Sequence, residues 1–436
     1  MAVIGVCSMS LTLTKHIWQD EVQILEAGRL ALPGADRSYS MIWSFEANRP
    51  FMLPYYLGPA LQDTFCRLFG QHTPLGPRLS SLIGAVLASG ALLGWLLSRG
   101  SVPWIALACS LLFFLDPLFV ESYRGARVDS WSMAFMLLTL WVVSAGRKES
   151  LRRGGFAAWQ VIGGISMAFA AIFWVSAILL VPLVVYEVLR QEPSGKMIPW
   201  PKRLLGLIWL GIFGATALAL VLTPILGSLT YMLSDTSGMA GGKMGLDIDL
   251  TALLAPCVRS PWLPLGAIAA ILISQSWGLA AATMVAVGGV LMTGAYVHRT
   301  IYLLPYFLVA IATGASFVWT KASPSGFAKL LAFSVLLSML VWSAALSVGA
   351  RTFVALSERQ ARDSGRLLAM LEDSVGSGPY HAYIDAFELY YAARSLGWKS
   401  YRTVGKVSDL SCLKLRDLLA DMDVVVLRSG ISEVPP

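Results

Sequence analysis

The feature that most constrains this chain is a succession of about eleven apolar stretches, because a membrane-spanning helix needs roughly 20 mostly apolar residues. Of the 436 residues, 56% are hydrophobic and 14% are charged, which is typical of a polytopic membrane protein. The sequence therefore predicts an α-helical polytopic membrane protein. Two runs, 157–190 and 261–296, are each divided into two helices, and another division would change the count by two without moving the C-terminus across the membrane. The expected spans are residues 2–18, 79–98, 103–121, 130–146, 157–173, 174–190, 204–226, 261–275, 278–296, 301–320 and 327–348.

The short loops predict the orientation of these helices, because cytoplasmic loops carry an excess of Lys and Arg. The basic residues of three loops are Arg147, Lys148, Arg152 and Arg153, then Arg190, Lys196, Lys202 and Arg203, then Lys321 and Lys329. With these loops inside, the outer face holds residues 19–78, 122–129, 227–260, 297–300 and 350–436. The net charge of +7 fits this topology and anionic lipid, and no basic patch interleaved with aromatics predicts nucleic-acid binding.

The outer loop 19–78 carries the most chemistry. It begins with an acidic pair, Asp20 and Glu21, and continues as a predicted amphipathic helix to Leu32 that lies in the membrane interface. The polar corner Asn48-Arg49-Pro50 precedes a second predicted interfacial helix, Phe51 to Phe69, with Gly70 as its C-cap. Such a loop forms a roof at the lipid boundary.

The tail 350–436 differs from the rest of the chain, so we expect residues 1–349 to form the transmembrane domain and the tail a small soluble α/β domain on the outer face. Its pattern predicts strand, helix, strand, helix, strand, and it has no Gly-rich phosphate loop. Covering the outer face is its expected role. Cys66, Cys257 and Cys412 share the outer side, which leaves a disulfide open, but no cysteine spacing indicates a metal site.

Five segments in order resemble a known family. They are DEVQILEAGRL, FEANRPFMLPYYLGPALQDTFCRLFG, PRLSSLIGA, YRGARVDSWSMAFMLL and, more weakly, AYVHRTIYLLPYFLVA. Their order and spacing resemble the GT-C glycosyltransferases, and more narrowly the branch of the protein O-mannosyltransferases and lipid A aminoarabinose transferases. The chain departs from that pattern with one proline at the corner, with Phe173-Trp174 where many members have Thr-Lys, and with Arg299 separated from Tyr302.

The resemblance implies an inverting transfer of a sugar from a polyprenyl-phosphate donor to a lipid, glycan or protein acceptor. It places such an enzyme in the bacterial inner membrane, with its active site facing the periplasm or exterior. The sugar and the acceptor stay open. A requirement for a divalent cation also stays open, since Asp247 and Asp249 are two carboxylates without further oxygen ligands.

The resemblance also implies roles for single residues. Asp20 would be the general base and Glu21 would orient the acceptor or an arginine. Arginines suit the donor phosphate because a planar guanidinium binds two oxygens and stays charged. The predicted phosphate ligands are Arg124, Arg127, Arg299 and Lys243, the supporting residues are Asp129, His298 and Tyr302, and the acceptor-side residues are Asn48 and Arg49. In the Arg-x-Asp pattern of Arg127 and Asp129, the carboxylate would hold the guanidinium by an ion pair.

Structural alternatives accompany these roles. Asp20 also suits the N-cap of its helix, and Arg127 with Asp129 also suits interfacial snorkelling and ordinary capping. Other function classes stay open as well. They are a transporter or flippase of lipid-linked glycans, a ligase or polymerase of surface polysaccharide, and a noncatalytic lipid-binding scaffold, although the helix centres are almost free of charge and no repeat typical of transporters is evident.

Overall fold

The computed structural model describes most of the chain, and some predicted site residues fall outside the described part. The described residues are 16–31, 34–44, 49–70, 73–153, 157–190, 199–241, 254–293, 297–320, 326–358, 363–402 and 419–426. Asn48, Lys243 and the predicted first span, apart from residues 16–18, lie outside these ranges. The same is true of Asp247 and Asp249.

Helices dominate the described part. They are α1 (Gln19–Ala31), α2 (Leu57–Phe69), α3 (Leu75–Ser98), α4 (Pro103–Leu115), α5 (Pro117–Arg124), α6 (Asp129–Arg153), α7 (Ala158–Phe173), α8 (Val181–Leu189), α9 (Trp200–Leu222), α10 (Leu226–Gly241), α11 (Ala255–Arg259), α12 (Trp262–Ser274), α13 (Trp277–Met292), α14 (Val297–Thr300), α15 (Leu304–Thr320), α16 (Gly326–Ala344), α17 (Arg351–Ser357), α18 (Ser364–Ser374) and α19 (Tyr390–Ser395). Short 3₁₀ turns, Val175–Leu180, Thr223–Ile225, Ile301–Leu303 and Phe387–Leu389, and a π turn, Ala345–Ala350, join some of them.

Helices occupy ten of the eleven predicted apolar stretches, and the first stretch lies almost wholly outside the described residues. Within the described part, four helical segments are long and apolar enough to cross a bilayer: Leu75–Ser98, Trp200–Leu233, His298–Thr320 and Gly326–Ser357. A fifth appears if the bent pair α4 and α5 counts as one span. The chain is thus a helical membrane bundle, and the count of about eleven spans stays a prediction.

The predicted span 103–121 is broken near its C-terminal end. Its two halves meet at an angle of 54° between Leu115 and Pro117. Asp116 separates them, and its buried Oδ1 accepts hydrogen bonds from the backbone N–H groups of Leu118 (2.9 Å) and Phe119 (3.2 Å). An aspartate cap followed by proline is a strong start signal for a new helix, which explains the break.

The first outer loop forms the two predicted helices with shifted bounds. The helix expected at Asp20 to Leu32 is present as α1, but nine of its 13 residues are buried, so it lies within the protein and not freely on the interface. The second helix begins at Leu57, not at Phe51, because Arg49 and Pro50 form a strand and Pro54 interrupts the irregular residues that follow. Gly70 ends it with φ +100°, as predicted.

The C-terminal segment, residues 363–402 and 419–426, contains a three-stranded parallel sheet. Strand β3 (His381–Ile384) lies between β4 (Lys399–Tyr401) and β5 (Val424–Val426). Near the corner of the first loop, β1 (Trp43–Ser44) pairs antiparallel with β2 (Arg49–Pro50). The segment shares one hydrophobic core with the first loop, in which Val22 and Leu25 of α1 pack with Tyr391 and Ala393. The C-terminal segment therefore packs against α1.

Candidate functional site

A cavity of about 360 Å³ lies where the start of α1, the turn before α6 and the start of α14 meet. Five predicted site residues line it: Asp20, Arg127, Asp129, His298 and Arg299. Polar, aromatic and aliphatic side chains complete the wall. The remaining lining residues are Gln19, Gln23, Ile24, Phe51, Leu53, Tyr55, Trp174, Val175 and Ser176.

Arg127 links two carboxylates at the floor of this cavity. Its Nη1 donates a hydrogen bond to Oδ2 of Asp20, and its Nε donates to Oδ2 of Asp129 at 2.7 Å. The predicted Arg127–Asp129 ion pair is thus present. Asp20 remains reachable from the cavity, since 35% of its side chain is exposed, whereas Asp129 is buried. Asp20 lies in the first turn of α1, where a carboxylate also complements the helix dipole.

The protein fixes Arg127 from several directions. It lies in the tight turn that joins α5 to α6, and its carbonyl accepts a hydrogen bond from Ser81 Oγ at 2.7 Å. Its guanidinium lies 5.8 Å from the Trp174 ring centroid. Burial by itself lowers the pKa of Arg127, but the charges of Asp129 and Asp20 outweigh burial and hold that pKa above its ordinary value. Arg127 is therefore a permanent positive charge in the cavity wall.

Asp129 is held by a second group as well. The hydroxyl of Tyr302, which is fully buried, donates a hydrogen bond to Oδ1 of Asp129 at 3.0 Å. Tyr302 therefore supports the cavity indirectly, by fixing the carboxylate that in turn fixes Arg127. Its predicted role in the reaction stays a prediction.

His298 and Arg299 of α14 also line the cavity. His298 Nε2 lies 3.9 Å from Asp20 Oδ2, and its ring meets Trp18 edge-on at 5.8 Å. Tyr55 packs edge-on against Trp174 at 4.5 Å between centroids, and burial raises its pKa to about 12. The phenol of Tyr55 thus stays protonated at neutral pH and adds a polar, uncharged group to the wall.

Glu21 does not line the cavity. It is fully buried, and Arg78 donates to both of its oxygens, from Nε at 3.2 Å and from Nη2 at 3.0 Å. The hydroxyl of Tyr391 donates to Oε1 at 2.8 Å. Glu21 therefore orients an arginine, one of the two uses that the sequence analysis gave it, and that arginine is Arg78.

The other predicted residues lie apart from the cavity. Arg124 is buried on α5 and is absent from the cavity lining. Arg49 is half-buried, with its guanidinium 5.3 Å from the Tyr231 ring centroid on α10. The structure brings neither residue to Asp20. Residues 227–241, which the sequence assigns to a loop between two spans, are helical in α10.

A second cavity of about 540 Å³ opens between the first loop and the C-terminal segment. Glu26, Arg29, Tyr390 and Arg394 are among its lining residues, and Glu26 and Arg29 form a bidentate ion pair with N–O distances of 3.2 and 2.9 Å. In this second cavity the carboxylate of Glu26 is buried as well as paired. The smaller cavity is the better candidate site because Asp20 there keeps 35% of its side chain exposed and lies beside other predicted site residues.

No cluster of three or more metal-ligand side chains occurs in the described ranges. Cys66 and Cys257, two of the three cysteines predicted to share the outer side, are free thiols. Cys412, the third thiol considered for an outer disulfide, lies outside the described residues.

Sequence reasoning missed several residues of the site. Arg78 carried a signal, since an arginine at the outer end of an apolar stretch needs a partner, but that partner lies 57 residues away in the chain. Trp174 stood out only as a departure from the family pattern. Tyr55 and Tyr391 carried no local signal of their contacts.

Comparisons with known proteins place this arrangement in a known fold. No protein-family profile matches the sequence, and no curated protein is similar enough in sequence to match. Among solved structures, ArnT from Cupriavidus metallidurans bound to undecaprenyl phosphate superposes with a TM-score of 0.61 at 14% identity, over 96% of this chain and 86% of that one.

Two further solved structures agree at lower similarity. The oligosaccharyltransferase AglB from Archaeoglobus fulgidus, in complex with an inhibitory peptide and a dolichol-phosphate, gives a TM-score of 0.50 at 13% identity, over 92% of this chain and 64% of that one. The mycobacterial arabinofuranosyltransferase AftD gives 0.50 at 18% identity, over 92% and 32%. The chain therefore has the fold of the GT-C glycosyltransferases, as predicted, and is a multi-pass membrane protein.

Proposed function

We propose that this protein is a membrane glycosyltransferase that moves a sugar from a polyprenyl-phosphate donor to a lipid, glycan or protein acceptor. The observation that carries the proposal is the convergence of Asp20, Arg127, His298 and Arg299 on one cavity of a GT-C bundle. ArnT, with the same fold, was solved with undecaprenyl phosphate bound. We place the active site on the periplasmic or exterior face of a bacterial inner membrane, since the basic loops favour that orientation.

The chemistry requires one base and a cationic site for the leaving group. The acceptor hydroxyl oxygen forms a bond to the anomeric carbon, the bond from that carbon to the phosphate oxygen breaks, and the hydroxyl proton passes to Asp20. The anomeric centre inverts in this single displacement. Arg127 and Arg299 neutralise the phosphate as it leaves, where buried cations act more strongly than in water.

Arg127 would change partners during this reaction. In the structure its guanidinium contacts both Asp20 and Asp129. A donor phosphate competes with Asp20 for Nη1 of Arg127, while Nε of Arg127 keeps its hydrogen bond to Asp129. Asp20 would then lose its contact with Arg127 and become available as a base only after the donor has bound.

The remaining assignments follow from position. His298 lies close enough to Asp20 to orient it or the acceptor, and Glu21 acts through Arg78 and not by contact with substrate. Phosphate contacts by Arg124 and Lys243, and acceptor contacts by Asn48 and Arg49, stay predictions.

The decisive experiment measures transfer of radiolabelled sugar from a panel of polyprenyl-phosphate donors to membrane lipid and protein acceptors. Asp20→Asn should lower the transfer rate by about a hundredfold or more, the contribution of a general base. Glu372→Gln, which alters an exposed carboxylate on α18, is the matched control and should transfer at the wild-type rate.

Two outcomes would contradict the proposal at different levels. Equal transfer by wild type and Asp20→Asn would keep the enzyme but remove the assigned base. A folded wild-type protein that transfers no sugar from any donor, yet moves lipid-linked sugar across vesicle membranes, would identify a flippase.

A further inference from the structure

We infer that the C-terminal segment positions α1, and with it Asp20, through two buried tyrosine hydroxyls. The inference rests on the proposed function, because it assigns Tyr390 and Tyr391 as positioning residues for the base of that reaction. The segment acts at a distance, since the cavity lining in the described part of the chain includes no residue from 363–402 or 419–426.

The two tyrosines make parallel contacts to one helix. Tyr390 donates its hydroxyl hydrogen to Oε1 of Glu26 at 2.8 Å, and Tyr391 donates to Oε1 of Glu21 at 2.8 Å. All four side chains are at most 3% exposed. Hydrogen bonds to carboxylates in such surroundings are among the stronger ones in proteins.

Each glutamate is also paired with an arginine. Arg78 at the start of α3 holds both oxygens of Glu21, and Arg29 holds both oxygens of Glu26. A buried carboxylate is tolerated only when its hydrogen-bonding capacity is satisfied. Each glutamate is therefore confined to the geometry that satisfies its arginine and its tyrosine together.

These two points fix the rotation of α1. Successive helical residues are about 100° apart, so Glu21 and Glu26 project about 140° apart around the axis. No rotation of α1 preserves both tyrosine contacts. Asp20 immediately precedes Glu21, so the direction of its carboxylate toward Arg127 follows from the same two contacts.

The contact between Tyr390 and Glu26 lies in the wall of the second cavity. Tyr390, Glu26 and Arg394 line it, and Arg394 Nη1 lies 3.0 Å from the Tyr390 hydroxyl. Arg394 also binds Asp63 of α2 at 2.8 Å. The segment is thus joined to both helices of the first loop by buried polar contacts and by the shared apolar core.

Tyr391→Phe and Tyr390→Phe test the inference with the ring packing kept. Tyr380→Phe is the matched control, because Tyr380 lies on the same segment and packs edge-on against Trp398. The first readout is hydrogen exchange of the backbone amides of residues 19–31. We expect exchange at least about tenfold faster in Tyr391→Phe and Tyr390→Phe, as loss of a hydrogen bond to a charged group implies, and no change in Tyr380→Phe.

The second readout separates positioning from folding. With polyprenyl-phosphate sugar as donor, kcat should fall about tenfold in Tyr391→Phe, while the KM for the donor stays constant because Arg127 and Arg299 lie on other elements. Unchanged exchange in both variants would overturn the inference. Faster exchange with a wild-type kcat would also overturn it, because α1 would then loosen without effect on Asp20.

The same experiment distinguishes this inference from the proposed function. A wild-type protein without transferase activity would refute the proposed function. The exchange rates would still decide whether the tyrosines hold α1, and Tyr390→Phe serves where Tyr391→Phe fails to fold, since Glu26 keeps its contacts with Arg29 and with Ser40 at 3.0 Å.

Discussion

The two sides of α1 use neighbouring carboxylates in opposite ways. Asp20 faces an open cavity with about a third of its side chain exposed, and its arginine is reachable by a ligand. Glu21, the next residue, is fully buried, and its arginine is also fully buried. Two adjacent residues of α1 thus differ: one carboxylate is open to a ligand, and the other forms a buried ion pair that holds the fold. Two neighbouring acidic residues in a sequence therefore need not share one function.

Replacing Arg78 by leucine should have the largest effect on stability. Glu21 would remain buried without its cation, which typically costs about 3–5 kcal/mol. Thermal and denaturant unfolding of the protein in detergent would measure the loss. Arg67→Ala is the matched control, because Arg67 pairs with Asp63 but half of its side chain is exposed, and it should cost no more than about 1 kcal/mol. Equal losses of stability in the two variants would contradict the view that the buried Arg78–Glu21 pair holds the fold.

Replacing Arg127 by lysine should affect transfer more than stability. Lysine keeps the charge but cannot bridge Asp20, Asp129 and a phosphate with one planar group. We expect transfer to fall by about a hundredfold, as for loss of a main electrostatic contact to the leaving group. Steady-state kinetics with varied donor would show it. A variant that unfolds like Arg78→Leu and transfers normally once refolded would reverse the roles of the two arginines.

Low pH should lower the stability of the protein through protonation of Glu26, which lies on the buried side of α1. Burial by itself would raise the pKa of Glu26, but the charge and hydrogen bonds of Arg29, with Arg394 and Tyr390, outweigh burial and hold it below its ordinary value. A lowered pKa contributes stability that is present above the unfolded value of about 4.3 and is lost as pH falls through the folded value. Glu26→Gln should therefore flatten the decline of melting temperature below about pH 4.5, and an unchanged decline would exclude Glu26 as its source.

Hydropathy was sufficient to locate most helices of this fold. Ten apolar stretches became helices because lipid-facing helices need continuous apolar sequence, a property that is local in the chain. The bend at Asp116 and the late start of α2 at Leu57 were not anticipated. In both places a capping residue or a proline overrides an apolar run whose overall hydropathy stays high.

Individual contacts of the site were predictable only where the two residues are close in sequence, although several distant members of the site were named. Arg127 and Asp129 form their ion pair two residues apart, and the Arg-x-Asp pattern indicated it. The link from Arg127 to Asp20 spans 107 residues, and that from Tyr391 to Glu21 spans 370. Contacts of that separation depend on how whole helices pack, and neither composition nor periodicity contains that information.

The packing of α1 against α2 depends on the absence of a side chain at Gly28. A Cβ atom at this position would lie 2.0 Å from the carbonyl oxygen of Pro59, so α1 and α2 touch backbone to backbone there. Any side chain at position 28 would force the two helices apart by more than an ångström. Asp20 lies eight residues away, about 12 Å along the helix axis. A methyl group at position 28 would therefore tilt α1 away from α2. The N-terminal end of α1 would move with it, and Asp20 would no longer meet Arg127.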